Sequence, residues 1–389
     1  MHIVFAMPYY APAWSYGGPA RVMSDLGASL VRRGHRVSCV TTDALDHDRR
    51  IEKVEDVVDG VRVRYVPNRS NFLAYHFKFF TPLRMGSALA EVAAAADIVH
   101  IADFRNLVTF HAWRMCAALR KPFVLSPFGT VPNTMDLRGA VKKLFDLTWS
   151  RNCLRAASVI TAQTGHERDV IRRFGVDDGR IELVPLHVDA HRFESGSAPV
   201  AQPGVPLPDV RSGRFILFVG RMNIHKVSPF MIDVLLQVRK QLPDVKLVMV
   251  GRDDGAAARI RQYARRHGAD GAVLWPGPVY YPETCAFYQH AGAFFMAPSH
   301  YEETPTAALE ALAGGCPVVV TPQAEVPFLE EAKAGFVPSR NVQACARRLI
   351  DCIRHREAYG PRGVRLVRDR FDLDCVCERY QEIYRRTLA

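Results

Sequence analysis

Two charged residues that follow an apolar run have the types and spacing needed to hold a diphosphate. Arg221 and Lys226 are five positions apart in the segment GRMNIHK, which begins at Gly220 and comes directly after RFILFV. An Arg guanidinium can grip two phosphate oxygens at once, and a Lys ammonium adds a compact positive charge. The spacing alone leaves open a second interpretation, in which both are solvated surface cations.

Two glutamates eight positions apart mark a second candidate site. Glu302 and Glu310 lie in PSHYEETPTAALEALAGG. Thr304 is predicted to cap a helix and Pro305 to occupy its first position. Glu302 then falls in the loop and Glu310 in the helix, whose first amides favour a bound anion. A solvated glutamate face is the alternative, but the small apolar residues around Glu310 favour a carboxylate that faces a ligand or partner.

A glycine pair near the start of the chain is a third candidate. Gly17 and Gly18 lie between the apolar run HIVFAM and a helical pattern that begins near Pro19. Residues without side chains let backbone N–H groups approach a ligand, although a plain turn has the same sequence. The segment does not match G-x-G-x-x-G, which argues against a dinucleotide-binding oxidoreductase.

These residues lie at the ends of predicted strands, in a regular alternation of strands and helices. That alternation is typical of doubly wound parallel sheets, with ligands at the carboxyl ends of the strands. The predicted strands are 2–7, 36–42, 61–66, 97–101, 122–126, 158–162 and 181–185, then 214–219, 245–250, 272–275, 293–297 and 316–320. Helical patterns cover 139–156, 164–174, 228–241, 256–267, 282–291, 305–314, 341–355 and 374–388.

The alternation breaks once, which predicts two domains. Residues 194–213 are rich in Pro, Gly and Ser and are interpreted as an interdomain linker. We therefore predict an N-terminal domain over 1–195, a C-terminal domain over 196–370 and a final helix over 371–389 that packs back toward the N-terminal domain. A ligand is expected between the two Rossmann-like halves.

Composition limits the class of protein and its partners. The 389 residues are 48% hydrophobic and 23% charged, with a net charge of +11 that is not gathered in a basic tail. We expect no nucleic-acid partner, and the positive charge favours anionic ligands or a membrane face. Nine scattered cysteines without a C-x-x-C pair indicate reduced thiols. The N-terminus lacks the basic segment of a signal peptide, so a cytoplasmic protein is expected.

Together the motifs resemble those of the GT-B glycosyltransferases, in particular family 4, the retaining branch that uses nucleotide sugars. The matching segments are Gly17-Gly18, GR-x4-K over 220–226 and E-x7-E over 302–310. Residues 184–193 (VPLHVDAHRF) resemble the family's interdomain signature, with Leu-His where Asn-Gly is usual. The resemblance covers essentially the whole chain. It implies a GT-B fold, with two Rossmann-like doubly wound parallel-sheet domains facing a central cleft.

The resemblance also implies roles for single residues. Arg221 and Lys226 would neutralise the diphosphate of the donor, and Glu302 would contact the donor sugar near the reacting carbon. Glu310 would accept hydrogen bonds from the ribose hydroxyls. The other implied donor-binding residues are Gly17, Gly18, Gly220, Glu303, Thr304 and Thr306. No cofactor and no metal is expected, because the cations take the metal's place. Asp372-Leu-Asp374 looks like a metal motif of another glycosyltransferase fold, but it is interpreted as solvated or capping residues.

One departure from the family pattern concerns the reacting centre. Phe128, before Gly129 in SPFGTV, stands where many relatives have a His. The site then uses another group, takes a different donor, or has lost activity. The expected activity is a hexosyl-type transfer to a glycan or polyprenol-linked acceptor in cell-surface polysaccharide or glycolipid synthesis. The alternative is a catalytically degenerate GT-B subunit that serves as a binding or scaffold partner.

Two further segments have open interpretations. Tyr9, Tyr10, Trp14 and Tyr16 precede the glycine pair and either stack on an acceptor or pack within the loop. The helix over 139–156, with Arg138, Lys142 and Lys143 beside apolar residues, is either a peripheral contact with the inner face of the cell membrane or an ordinary amphipathic helix. His100 and His111 are other histidine candidates near the cleft, and His100, which closes an apolar strand, is interpreted as a core or strand-end residue.

Overall fold

The computed structural model describes residues 1–131, 143, 145–193, 215–279 and 281–389. It divides into two compact units, one formed by Met1–Leu186 with Leu373–Ala389 and the other by His187–Asp372. The predicted linker, residues 194–213, lies entirely outside the described residues. The first part of the predicted helix over 139–156 also lies outside them.

The first unit is built on an eight-stranded sheet in the order β3-β4-β2-β1-β5-β6-β7-β8. Short apolar runs form its buried central strands, as predicted. Its strands are β1 His2–Ala6, β2 Arg36–Thr42, β3 Glu55–Val58, β4 Val61–Val66, β5 Ile98–Ala102, β6 Phe123–Ser126, β7 Val159–Ala162 and β8 Ile181–Leu183. The sheet is not wholly parallel, because β3 pairs antiparallel with β4. This edge strand was not predicted, since its sequence EDVV has neither an apolar run nor a buried residue.

The second unit has a six-stranded sheet, wholly parallel, in the order β11-β10-β9-β12-β13-β14. Its strands are β9 Phe215–Val219, β10 Lys246–Val250, β11 Val273–Gly277, β12 Ala293–Met296, β13 Val318–Val320 and β14 Gly335–Phe336. The first five match predicted strands, and the two-residue β14 is too short for a sequence pattern. β9 lies at the centre of the sheet, between β10 and β12, so the loops after β9 and β12 leave neighbouring strands.

Helices connect these strands in both units. In the first they are Gly18–Arg32, Asn71–Phe77, Met85–Ala93, Leu107–Leu119, Arg151–Ala156, Gly165–Arg173 and Leu373–Leu388. In the second they are Pro229–Arg239, Ala257–Arg266, Glu283–His290, Thr306–Ala313, Val342–Arg354 and Arg356–Leu366. The last of these was not predicted, and it contains Pro361, a residue that normally ends a helix.

The C-terminal helix belongs to the first unit and is tied to its sheet by a buried polar cluster. His100 on β5 is fully buried, with Nδ1 2.7 Å from the Tyr384 hydroxyl and Nε2 2.7 Å from Ser126 Oγ. Ser126 Oγ also lies 2.5 Å from Thr161 Oγ1. Burial lowers the pKa of His100 to about 3, so the ring is neutral and shares its two nitrogens between strand and helix.

The cysteines and the aspartates of the Asp372-Leu-Asp374 segment have contacts within the protein. All nine cysteines are free thiols, and eight of them are buried. Asp372 accepts a hydrogen bond from the Ala190 amide at 3.1 Å, and Asp374 pairs with Arg33 at 2.9 Å. Each of these two carboxylates thus has a protein partner.

In the part of the chain that the structure describes, no helix has the length and apolar character needed to cross a membrane.

Candidate functional site

Glycines at two strand ends shape the start of the GR-x4-K loop. Gly220 follows β9 with φ of 155°, and its amide donates to the Val250 carbonyl at 2.9 Å. Gly251 follows β10 with φ of 144°, and a Cβ there would lie 1.9 Å from the Gly220 carbonyl oxygen. Only a residue without a side chain fits so close to another backbone. Gly251 therefore fixes where the loop leaves the sheet, although it belongs to none of the predicted motifs.

Asn223 folds the loop between Arg221 and Lys226. Its side-chain oxygen accepts hydrogen bonds from the amides of His225 and Lys226, both at 3.0 Å. Such a side-chain-to-backbone turn replaces a regular element. Met222 is buried and its amide donates to the Arg252 carbonyl at 2.8 Å, which anchors the start of the turn. Lys226 is thereby held on a short, well-bonded loop.

Backbone hydrogen bonds join this loop to the one that carries Glu302. The Ser299 amide donates to the His225 carbonyl at 2.7 Å. Further along, the Glu302 amide donates to the Gln323 carbonyl at 2.7 Å, in a bridge between Glu302 and Ala324. The Glu302 backbone is thus fixed on one side by the first loop and on the other by the segment after β13.

Side chains complete the link between the two motifs. The Lys226 ammonium contacts the Glu302 carboxylate, and both side chains are about one quarter exposed, at 24% and 22%. Beside them, Nδ1 of His225 lies 3.2 Å from Nδ1 of His300. The structure therefore brings together two of the predicted residues, and it adds a histidine pair that was not predicted.

Arg221 lies on the same loop but has a different partner. Its guanidinium is 3.4 Å from the Asp254 carboxylate, and 43% of its side chain is exposed. Both proposed diphosphate-binding cations thus have carboxylate partners in the second unit. An incoming anion with two charges would compete with these carboxylates for the cations.

The helix after Glu302 begins later than predicted. It spans Thr306–Ala313, with Pro305 in the cap position at φ of −71° and ψ of 119° and no side-chain cap. The prediction that Thr304 caps the helix was therefore wrong, because the extended Pro305 moves Thr304 one residue too far away. Thr304 is buried instead, and its hydroxyl makes no hydrogen bond with any described residue.

Glu310 is in the helix, as predicted, and a tyrosine orients it. The Tyr288 hydroxyl donates to Glu310 Oε2 at 2.6 Å, from the neighbouring helix Glu283–His290. Tyr288 is fully buried, and burial and the Glu310 carboxylate raise the pKa of its hydroxyl well above the usual value. The hydroxyl stays protonated and holds one carboxylate oxygen. No sequence pattern pairs these residues, since they lie on different helices.

Other buried oxygens lie along the segment that meets Glu302. The hydroxyl of Thr321 and the side-chain oxygen of Gln323 make no hydrogen bond with described residues, like that of Thr304. Buried polar atoms without partners are costly. No group of three or more His, Cys, Asp or Glu side chains among the described residues is arranged to hold a metal ion.

The remaining predicted residues lie in the first unit. Gly17 has φ of 109° and precedes the helix that begins at Gly18, and a Cβ at Gly17 would meet open space. The aromatic loop before it packs internally, because Tyr9 and Tyr16 are buried and stack with their ring centroids 4.9 Å apart. The Arg21 guanidinium lies 4.0 Å from the Trp14 ring centroid.

Phe128 occupies a strained turn. Its φ is 51°, a left-handed conformation that is rare for a bulky residue, and Gly129 follows with φ of 75°. The Gly129 amide donates to Glu167 Oε1 at 2.8 Å, and Glu167 is fully buried. Glu167 also accepts from the Gln163 amide at 2.9 Å. A buried carboxylate that was not predicted thus holds this turn.

Comparisons with known proteins match both units. Residues 17–187 fit the model of the glycosyl transferase 4-like domain, and residues 213–355 fit that of glycosyl transferases group 1. The chain is 27% identical over 333 residues to a D-inositol 3-phosphate glycosyltransferase of Xylanimonas cellulosilytica, covering 78% of this chain and 75% of the relative.

Solved structures resemble the fold over its full length. A sucrose-phosphate synthase of Thermosynechococcus elongatus superposes with a TM-score of 0.76 at 17% identity, covering 99% of this chain and 98% of that one. Anabaena HepE in complex with UDP gives 0.71 at 15% identity, covering 98% and 99%. These two likenesses establish the same two-domain fold.

Proposed function

Since the chain belongs to glycosyltransferase family 4 and has the GT-B fold, we propose that it is a retaining enzyme that uses the second unit to bind its donor. The chain is a glycosyltransferase, and enzymes of this family move a sugar from a nucleotide-sugar donor. The observation that carries the proposed donor site is the contact between Lys226 and Glu302, which places the two charged motifs at one point. Arg221 lies on the same loop.

Arg221 and Lys226 would stabilise the leaving group. When the bond to the sugar breaks, negative charge grows on the nucleoside diphosphate, and preorganised cations act most strongly at that moment. The turn built on Asn223 supplies the preorganisation for Lys226. We propose that these cations make a metal unnecessary. Turnover that is unchanged by EDTA would support this, and turnover restored only by Mg²⁺ or Mn²⁺ would contradict it.

Glu310 would bind the ribose of the donor. One of its oxygens is held by Tyr288, which leaves a carboxylate of fixed orientation at the edge of its helix. A carboxylate that accepts hydrogen bonds from two neighbouring hydroxyls gives directed binding of a ribose. Tyr288 would act as a positioning residue for this contact.

Glu302 would face the donor sugar, helped by Glu303, Thr304 and Thr306. The backbone of Glu302 is fixed by the bond to Gln323. The buried hydroxyl of Thr304 offers a partner for a sugar hydroxyl. Retention of anomeric configuration is part of the proposal, and product analysis by NMR with a donor of known anomer tests it.

The first unit would bind the acceptor. We propose that Gly17 and Gly18 admit the donor phosphates from the side of this unit, and that Phe128 and Gly129 line the reacting centre. The proposed acceptor is a glycan or a polyprenol-linked sugar, used in cell-surface polysaccharide or glycolipid synthesis. The relative from Xylanimonas supports inositol 3-phosphate as a competing acceptor.

A panel of nucleotides tests the donor site. The HepE complex supports UDP as the first candidate. Thermal shifts would be measured with UDP, GDP, ADP and CMP and with their sugars. A ligand at a hundredfold excess over its Kd stabilises the folded state by about 2.7 kcal/mol, so binding is readily seen. No shift with any nucleotide would favour the degenerate binding subunit instead.

A further inference from the structure

Large apolar side chains are exposed along one short segment of the first unit. Within residues 72–83 the side chains of Phe72, Phe77 and Leu83 are 60%, 55% and 48% exposed. Leu73 and Phe79 are each 37% exposed. We call these five residues the aromatic surface. Soluble proteins seldom expose such a run of apolar residues without a partner for it.

The helix Asn71–Phe77 turns its apolar face outward. One side of this helix carries Phe72 and the residues one, four and five positions after it, which are Leu73, His76 and Phe77. The three rings lie close together, since the Phe72 ring centroid is 4.6 Å from that of His76 and 6.2 Å from that of Phe77. The arrangement is the reverse of an ordinary surface helix, whose apolar residues face the core.

The same segment has its own small core on the inner side, so the outward face is not an unfolded remnant. Ala74 and Phe80 are buried in a cluster with Tyr9 and Tyr16. The Phe80 ring centroid lies 5.5 Å from that of Tyr16, and the Lys78 ammonium lies 4.6 Å from the same centroid. The aromatic surface therefore stands on a packed support that adjoins the loop before Gly17.

The charge around the aromatic surface is positive. Between residues 60 and 90 the sequence has five Arg or Lys and no Asp or Glu, and one of the five, Arg64, pairs with Glu55 and Glu91 outside that range. Arg69 and Arg84 flank the segment and are exposed. On the neighbouring loop, Asp43 pairs with Arg50 at 3.0 Å and Asp46 is bound by Arg49. Asp48 on the same loop lies 2.6 Å from Nε2 of His47, so each of these three carboxylates has a basic side chain as its partner.

We propose that the aromatic surface docks on an anionic lipid bilayer. Aromatic and aliphatic side chains enter the boundary between headgroups and acyl chains, and flanking arginines bind anionic headgroups. A protein partner with an acidic patch would match the arginines, but it would leave the five apolar side chains at a charged contact. The proposal deepens the proposed function, because it brings the acceptor-binding unit to the layer that holds a polyprenol-linked acceptor.

Flotation of the full chain with vesicles tests this. We expect the protein to float with vesicles of phosphatidylcholine and phosphatidylglycerol in equal parts, and to bind pure phosphatidylcholine weakly. The double variant Phe72→Ser/Phe77→Ser should lose about tenfold or more in vesicle affinity. Arg69→Glu/Arg84→Glu should lose at least about tenfold toward the anionic vesicles, and the loss should shrink at high salt.

A matched variant controls for general loss of apolar and basic surface. Arg114→Glu/Leu119→Ser changes one exposed cation and one exposed apolar residue on the helix Leu107–Leu119, and it should bind vesicles like the unmodified chain. UDP binding, measured on every variant, separates this inference from the donor site in the second unit. A chain that binds UDP but no anionic vesicles would overturn the inference. Equal vesicle binding by all variants would also overturn it. So would a dimer of the unmodified chain that the Phe72→Ser/Phe77→Ser variant fails to form while it still binds vesicles, because the aromatic surface would then be a contact between two copies of the chain.

Discussion

The Lys226 ammonium contacts the Glu302 carboxylate, so each of two separate motifs supplies one half of an ion pair. The pair holds Lys226 in place at the strand end where a donor diphosphate is proposed to lie. It also means that the diphosphate must share Lys226 with Glu302. Binding and turnover should therefore respond differently to the two residues.

We expect Glu302→Gln to bind UDP at least as tightly as the unmodified chain, by up to about tenfold, because the diphosphate no longer competes with a carboxylate for Lys226. Turnover of the nucleotide sugar should fall by a hundredfold or more, on the order of the loss of one transition-state contact. Calorimetry and initial rates measure the two effects. Lys240→Gln, an exposed lysine of the same unit, serves as the control and should change neither. Weaker UDP binding in Glu302→Gln would count against the shared-cation account.

Tyr288→Phe should weaken UDP binding by about three- to tenfold, the scale of one ordinary lost hydrogen bond of about 1 kcal/mol. The reason is that Glu310 then loses the donor that orients it. Tyr263→Phe removes a similar bond, 2.8 Å long, from Tyr263 to Asp233 on the surface of the same unit. That control should leave UDP affinity unchanged. Equal losses in the two variants would point to a general structural effect.

Gly251→Ala should destabilise the second unit by several kcal/mol and abolish UDP binding, because the new Cβ would lie 1.9 Å from the Gly220 carbonyl oxygen. Gly268→Ala is the matched control, since Gly268 also has a positive φ, of 69°, but open space around it. Its cost should be about 1 kcal/mol. Thermal unfolding and UDP titration of the two variants measure the difference, and equal stability would contradict the expected clash.

Acidification should destabilise the first unit through His100. Burial lowers the pKa of this residue to about 3, whereas an unfolded His titrates near 6.5. The unfolded chain therefore binds a proton first, and the free energy of unfolding falls as pH drops from about 6.5 toward 3. His100 contributes about 1.4 kcal/mol per pH unit over most of that window.

Urea unfolding at a series of pH values checks this contribution. His100→Asn, although less stable at neutral pH, should show a shallower fall between about pH 6.5 and pH 5. His166→Asn, at an exposed position of the same unit, should keep the slope of the unmodified chain. An unchanged slope in His100→Asn would show that His100 does not carry the effect.

The fold was predictable because most strands are short apolar runs that lie between helical patterns in the sequence. Runs such as HIVFA and FILFV became the central strands β1 and β9. The exposed strand β3 has no such apolar run. The helix Arg356–Leu366 contains Pro361, which argues against a helix in the sequence. The pattern predicts that the C-terminal helix packs on the first domain, but it does not predict which side chains meet there, such as Tyr384 and His100.

The candidate site was predictable in its charged residues and not in their supports. Lys226 and Glu302 each lie in a loop that follows a predicted strand. Parallel topology brings the loops after neighbouring strands together. Tyr288, Gly251 and Glu167 act through contacts with residues distant in sequence, so no local pattern marks them. The cap assigned to Thr304 failed because an extended Pro305 follows it.

Calorimetric titration of UDP into the unmodified chain and into Lys226→Gln tests the donor site most directly. We expect one UDP per chain, and an affinity loss of about thirtyfold in the variant, the scale of one lost charged contact of about 2 kcal/mol. GDP, ADP and CMP, titrated in the same way, would identify the base if UDP does not bind. Binding of a nucleoside diphosphate with equal affinity to both proteins would contradict the account, as would the absence of binding by all four nucleotides.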